Sequence, residues 1–211
     1  MSSILSLIIY YPIFFFRALN RRLSKFIWQH YCIYYCQKKG VRLGEGTKFN
    51  GYSFLRFEKG SAVTIGNHFI CNSGIGKSID NTVCSKIVVC ENASLTIGHD
   101  SGFSNISIFC YSKITIGDHV NIGAGTMIFD TDFHSLNASM RTDRKEDIKN
   151  AKVSPIHIGD LVFIGTGCII GKGVSIGNKS IVAAGSVVTK DIPAGEIWGG
   201  NPARFIKKAD L

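Results

Sequence analysis

Proline is scarce in this chain, with four among 211 residues. Glycine, at 23, is plentiful. Few backbone donors are therefore missing, as continuous paired strands with many sharp corners would require. No apolar run is long enough to cross a bilayer. The longest, Ile4 to Phe16, has 13 residues, short of the roughly 18 to 20 that a span needs. It has no charged stretch before it and no small-residue cleavage site after it, which argues against a signal peptide. The seven cysteines (32, 36, 71, 84, 90, 110 and 168) are odd in number and form no C-x-x-C pair. That pattern suggests neither a disulfide framework nor a zinc ribbon, and it fits a reducing cytoplasm, with Cys168 as core filler. Acidic residues are nearly absent from the N-terminus: residues 1–48 hold eight Lys/Arg against one acid, so seven of the nine net positive charges lie there. No nucleic-acid-binding motif accompanies this charge.

What the chain has is a period of six. From Ile158 to Val188 an aliphatic residue recurs at every sixth position: Ile158, Ile164, Ile170, Ile176, Val182 and Val188. Glycine follows four of them, at Gly159, Gly165, Gly171 and Gly177. The same step runs through Ile116-Gly117, Ile122-Gly123 and Ile128, and more raggedly through Leu43-Gly44, Ile65-Gly66 and Ile97-Gly98. A period of six matches neither a helix nor an isolated strand. It predicts an all-β solenoid in which short strands repeat around a prism, the aliphatic residue points inward, and the small residue after it lets the chain turn.

Three segments follow. Residues 1–40 form an apolar and basic N-terminal segment, helical after Pro12, with Leu19, Leu23, Phe26, Ile27 and Tyr34 on one face and Arg17, Arg21 and Lys25 on another. Such a helix suits either the membrane interface or a cap over the open end of the solenoid. Residues 41–194 carry the solenoid, interrupted by the charged loop 130–155, and residues 195–211 are a short C-terminal segment. A loop of 26 residues in a regular solenoid is a candidate functional element.

The repeat, the loop motif D-T-D-F-H, V-T-K-D-I-P-A-G and G-N-P-A-R-F-I-K together resemble the hexapeptide-repeat acyltransferases. The nearest branch holds the galactoside, maltose, xenobiotic and polysaccharide O-acetyltransferases. The resemblance is strong over residues 95–208, weak over 41–94, and does not explain 1–40. It implies a left-handed parallel β-helix, an exception to the usual right-handed crossover. It also implies a homotrimer with acetyl-CoA as donor substrate lying between neighbouring prisms, and a saccharide acceptor, in the cytoplasm or at the inner membrane face.

By that resemblance His134 is the catalytic base, and many relatives have proline where this chain has Ser135. Histidine, with an ordinary pKa near 6.5, suits proton removal from a hydroxyl at neutral pH. Asp130 or Asp132 could orient its ring, and Asp132 also faces the acceptor in this reading. Asn105 falls where relatives hold the acceptor, and a corner asparagine is the alternative. The implied cofactor contacts are Thr166, Ala184, Thr189, Lys190, Arg204 and Lys207. Lys190 and Arg204 have an independent reason, since a polyphosphate needs cations. A backbone N–H near Gly165–Thr166 could receive the oxyanion, and Trp198 is either a packing residue or an adenine contact. No metal is expected. A related solenoid family, the gamma-type carbonic anhydrases, uses two histidines five residues apart, and no two of the six histidines here are so spaced. The expected function is O-acetylation of a sugar in polysaccharide or glycan-precursor synthesis. The rivals are acetylation of a small molecule (an antibiotic, a free sugar or an amino-sugar) and a non-catalytic structural or ice-binding solenoid. The last would want an outward threonine array, where Asp118, Asn121, Lys172 and Lys179 stand instead.

Overall fold

A computed structural model describes residues 22–74 and 84–210. The apolar run Ile4–Phe16, together with Arg17, Leu19 and Arg21, lies outside the described residues. The chain winds through three sheets in turn, forming the left-handed parallel β-helix expected from the sequence. The first sheet contains Arg42–Leu43, Ala62–Ile65, Ser94–Ile97, Lys113–Ile116, Ile156–Ile158 and Ser175–Ile176. The second contains Lys48–Asn50, Ile70–Asn72, Gly102–Ser104, Asn121–Ile122, Phe163–Ile164 and Ile181–Val182, then Glu196–Gly200 and Ala203–Lys208. The third contains Ser53–Phe57, Ser85–Val89, Ser107–Cys110, Met127–Phe129, Ile169–Ile170 and Val187–Val188. Neighbouring strands are parallel throughout, except that Glu196–Gly200 and Ala203–Lys208 close the second sheet as an antiparallel hairpin.

The six-step residues set the register. Ile116 lies over Ile158 and Ile158 over Ile176; Ile122, Ile164 and Val182 stack in the second sheet, and Ile128, Ile170 and Val188 in the third. All six from Ile158 to Val188 are wholly buried. Each such side chain removed from water stabilises the fold by roughly 1.5–3 kcal/mol. Cys168 is wholly buried as well, and burial raises its thiol pKa.

Three of the glycines after these residues, Gly159, Gly165 and Gly177, are needed for closeness more than for turning. Gly165 has no left-handed backbone, but a Cβ there would lie 2.6 Å from the Ala184 nitrogen of the next coil. The left-handed corner residue comes two places later, at Gly167. At the edge between the first and second sheets, side chains also bind the coils together. Asn67 accepts from the N–H of Glu45, His99 from Asn67, Asp118 from His99, Asp160 from Asp118, and Asn178 from Asp160, at 2.6–3.0 Å.

Residues 22–38 are helical and lie over the first coil. Cys32 and Cys36 join the hydrophobic core, Tyr35 packs on Phe57, and Trp28 on Tyr52. Gln29 accepts from the Phe49 N–H (2.5 Å) and donates to the Thr47 carbonyl (3.0 Å), so its amide serves as a strand neighbour for an open sheet edge. These residues therefore cap the prism, through a face other than the apolar one read from the sequence. Leu23, Phe26, Ile27, Tyr31 and Tyr34 remain exposed on the outside. Among the described residues, no helix is long and apolar enough to cross a membrane.

Close approach of coils yields a paired prediction. Gly165→Ala should destabilise the protein by about 1–3 kcal/mol through overpacking, whereas Gly171→Ala, whose Cβ would meet only Val188 O at 3.5 Å, should be near neutral. Denaturant unfolding of the two variants at equal protein concentration measures the difference.

Candidate active site

The regular coils repeat every 18 residues, as from Ile158 to Ile176, but Ile116 and Ile158 are 42 apart. The extra 24 residues leave the prism at the edge between the third and first sheets. Residues 130–155 are pinned there at the neck. Thr131 bridges Val153, Asp132 N–H donates to Lys152 O (2.9 Å), and Ser154 N–H to Asp130 O (2.9 Å). Asp130 anchors the base. It is wholly buried, and its carboxylate accepts the N–H groups of Tyr111, Ser112 and Lys113 at 2.6–2.8 Å.

Beyond the neck the loop folds into a 3₁₀ turn, Met140–Thr142, and a short helix, Arg144–Lys149. Asp143 caps that helix by accepting from Lys145 and Glu146 N–H, and Glu146 follows it by three as a capping box prefers. The helix buries one residue, Asp147. Its carboxylate receives His134 Nδ1 at 2.7 Å and the Ser135 N–H at 2.7 Å, and Arg141 ties the same turn down by donating to Ser135 O (2.7 Å). The His134 hydrogen bond, followed by that of Ser135, holds the Asp147 carboxyl below the usual carboxylate range. A carboxylate on Nδ1 fixes that nitrogen as the donor, which leaves Nε2 as the basic lone pair. The His134 side chain is 70% exposed, so Nε2 is open to a reactant.

Neither acid proposed from the sequence orients the ring. Asp130 is committed to backbone amides, and Asp132 pairs through Oδ1 with Lys172 Nζ at 2.9 Å. The other Asp132 oxygen is buried with no partner among the described residues. The orienting residue is Asp147, 13 positions from His134. The capping box marks a helix in the loop, but no local spacing marks which of its acids turns inward.

The other expected site residues divide between two edges. Thr189 and Lys190 are exposed on the edge that carries His134 and Asp132, at the corner that follows Lys172 by one coil. Thr166 and Ala184 stack in successive coils at the edge between the second and third sheets, where Gly185 N–H donates to Thr166 O (2.8 Å). Arg204 and Lys207 are exposed on the terminal hairpin, and Gly199, which pairs with Arg204, lies against Ala183 at that edge. Asn105 also belongs to that edge, but it is wholly buried, with its amide bonded to the backbone N–H and carbonyl of Gly74 at 2.8 and 3.1 Å. On the Gly165–Gly167 turn, Gly165 N–H donates to Val182 O and Gly167 N–H to Ala124 O, which leaves the Thr166 N–H as the candidate oxyanion donor. Trp198 packs against the core and donates its indole N–H to Glu196 at 2.8 Å, a packing role. One chain therefore does not gather all these residues. Two edges of the prism carry them.

Comparison with known proteins bears on the family and the fold. The family profile for the hexapeptide repeat of succinyl-transferase matches residues 155–190. The chain is 35% identical over 136 residues to the Saccharomyces cerevisiae protein YJL218W, provisionally named an acetyltransferase, covering 64% of this chain and 66% of that one. It is 37% identical over 106 residues to the galactoside O-acetyltransferase of Escherichia coli K12, covering 49% of this chain and 48% of that one. The chain thus spans only part of the curated relatives it matches, about half of the second. Among solved structures, a hexapeptide-repeat acetyltransferase of Vibrio cholerae in complex with acetyl-CoA aligns with a TM-score of 0.51 and 29% identity, covering 79% of this chain and 73% of that one.

The depressed Asp147 pKa has a pH consequence. The contact contributes stability that is fully present above the ordinary carboxyl value of 3.8 and is lost as pH falls through the lower folded value. The stability advantage of wild type over Asp147→Asn should therefore fall away as pH drops through 3.8 and on through the lower folded value. Denaturant unfolding of both proteins across a pH series tests this.

Proposed function

This chain belongs to the hexapeptide-repeat acetyltransferase family, and on that premise we propose that it transfers acetyl from acetyl-CoA to a sugar hydroxyl, with His134 as general base. The observation that carries this reading is the His134–Asp147 pair, with Nδ1 engaged and Nε2 open. Nε2 takes the hydroxyl proton while the hydroxyl oxygen attacks the thioester carbonyl carbon. Asp147 offsets the positive charge that forms on the ring, as a buried carboxylate does in a catalytic triad. The carbonyl oxygen becomes an oxyanion, for which the Thr166 N–H is the donor on offer. Collapse breaks the carbon–sulfur bond, and the imidazolium returns its proton to the coenzyme A thiolate. No metal is required for these steps.

The division of residues between two edges supports a homotrimer. In a three-fold assembly the His134 edge of one prism would face the Thr166–Ala184–Arg204 edge of the next, and acetyl-CoA would lie between them. Asp132 and Asn105 are then acceptor-side groups from different chains, with Asn105 acting through the corner it holds at Gly74. The galactoside acceptor named for the Escherichia coli relative favours a saccharide, in polysaccharide or glycan-precursor synthesis.

A cytoplasmic enzyme resting on the inner membrane face fits the cap helix. Its outward stripe of Leu23, Phe26, Ile27, Tyr31 and Tyr34 is exposed. Arg22, Lys25 and Lys48 line a groove beside Phe26, Gln29 and Asn50, and no acidic residue precedes Glu45 in the chain. Each such cation near anionic lipid contributes about 1 kcal/mol of attraction.

Three outcomes are expected. His134→Ala should lower kcat by about 10²–10⁴ with acetyl-CoA affinity retained, as followed by coenzyme A release with saccharide acceptors; kcat within about threefold of wild type would remove His134 from the chemistry. Lys190→Ala and Arg204→Ala should each weaken coenzyme A binding by about 1–3 kcal/mol, the scale of hydrogen bonds to charged groups, as measured by calorimetry. Full-length protein should sediment with phosphatidylserine vesicles at low salt, and replacing Phe26 and Ile27 by Ser and Arg22 and Lys25 by Gln should abolish this. Those substitutions leave Cys32 and Cys36 in place, whereas removal of residues 1–40 would strip the cap itself.

A further inference from the structure

Phe133, immediately before His134, has φ of +61°, a conformation uncommon for a bulky side chain. It is the centre of a tight turn in which His134 N–H donates to Asp132 O at 2.7 Å, a rare and strained geometry when φ is positive. Residues on both sides are fixed. Upstream, Thr131 is wedged in the neck and accepts the Phe133 N–H through Oγ1 at 3.0 Å, and Asp132 is bound to Lys172. Downstream, Asp147 holds both His134 and Ser135.

The Phe133 ring lies on an aromatic floor formed by the outward face of the third sheet. Its centroid is 5.3 Å from Phe129, 5.8 Å from Tyr111 and 6.0 Å from Phe109, with the last two edge-on. Ring pairs at these distances and angles are attractive beyond their buried area. Phe109 and Phe129 stand opposite each other in neighbouring strands, so the floor belongs to the rigid prism and not to the loop. The ring thus ties the long loop to the regular prism.

We propose that Phe133 is a positioning residue. Its ring, seated on Phe109, Phe129 and Tyr111, holds the left-handed turn that delivers the His134 imidazole to Asp147 and sets the direction of Nε2. Backbone strain kept at a reactive group persists only where surrounding contacts over-determine it, and the aromatic floor supplies that contact. The proposal rests on the reading of His134 as the base, so its test includes a readout independent of turnover.

The test compares Phe133→Gly, which accepts the positive φ but lacks the ring, with Phe133→Tyr, which keeps the ring. Proton NMR in water should show a low-field His134 Nδ1–H resonance in wild type and Phe133→Tyr, assigned by its loss in His134→Ala. Exchange should broaden it in Phe133→Gly. In kinetics, Phe133→Gly should lose about a hundredfold in kcat, the scale of a 1 Å misplacement, with KM for donor and acceptor within about threefold and kcat restored in Phe133→Tyr. Phe129→Leu, which thins the floor without touching the loop backbone, should move both readouts the same way and serves if Phe133→Gly does not fold. An unchanged resonance and kcat in Phe133→Gly would overturn the proposal. So would a raised acceptor KM with kcat and resonance unchanged, which would make the ring an acceptor contact. If wild type transfers no acetyl group, the resonance still decides whether Phe133 positions the ring, and the failure belongs to the functional reading.

Discussion

Close stacking of one coil on the next is the constraint on which the rest of this molecule depends. A Cβ at Gly165 would sit 2.6 Å from the next coil's backbone, so a larger residue there must push neighbouring coils apart. A turn, by contrast, can be lengthened outward without shifting the strands that follow. The insertion before Ile156 obeys this. Ile116 and Ile158 remain in register across it as though the loop were absent. A rigid prism can thus carry a specialised loop without loss of register, and function concentrates where the repeat is broken.

The loop is then tied back to the prism at each level. Asp130 receives three amides of the previous coil, Lys172 of the next coil pairs with Asp132, and Phe133 lies on rings of the third sheet. Only after these anchors does the chain present His134, with Asp147 behind it and Nε2 facing solvent. The same regularity divides the other expected residues between two edges. Thr166 and Ala184 occupy equivalent places in successive coils, so they line one edge, while Thr189 and Lys190 fall on the edge that carries the loop. A trimer would bring the two kinds of edge together.

Much of this could be read from the sequence, because the repeat writes the core directly. Every sixth residue from Ile158 to Val188 was expected inside, and each is wholly buried. The role of the following glycines was misjudged. All but Gly171 make room for the adjacent coil, while the turning falls to residues such as Gly167 two places on. The partner of His134 was not legible, because the loop's own fold brings Asp147 across 13 residues and Asp130 and Asp132 are no less acidic and nearer in sequence. The sequence left the N-terminal helix open between a membrane surface and a cap, and its described part packs on the first coil. Its inward contacts are Trp28, Cys32, Tyr35, Cys36 and the amide of Gln29, while the stripe of Leu23, Phe26, Ile27 and Tyr34 faces outward.

The division of the site between two edges makes the central claim measurable in one mixing experiment. His134→Ala damages one edge, and Ala184→Trp would block the other by filling the stack of small residues beside Thr166. If acetyl transfer takes place between chains, refolding the two inactive variants together should restore activity. It should reach about a quarter of the wild-type level, since about one interface in four then has both edges intact. If the mixture remains as inactive as its components, although the two variants do form mixed oligomers, the base and the donor groove belong to a single chain and the two-edge site is wrong.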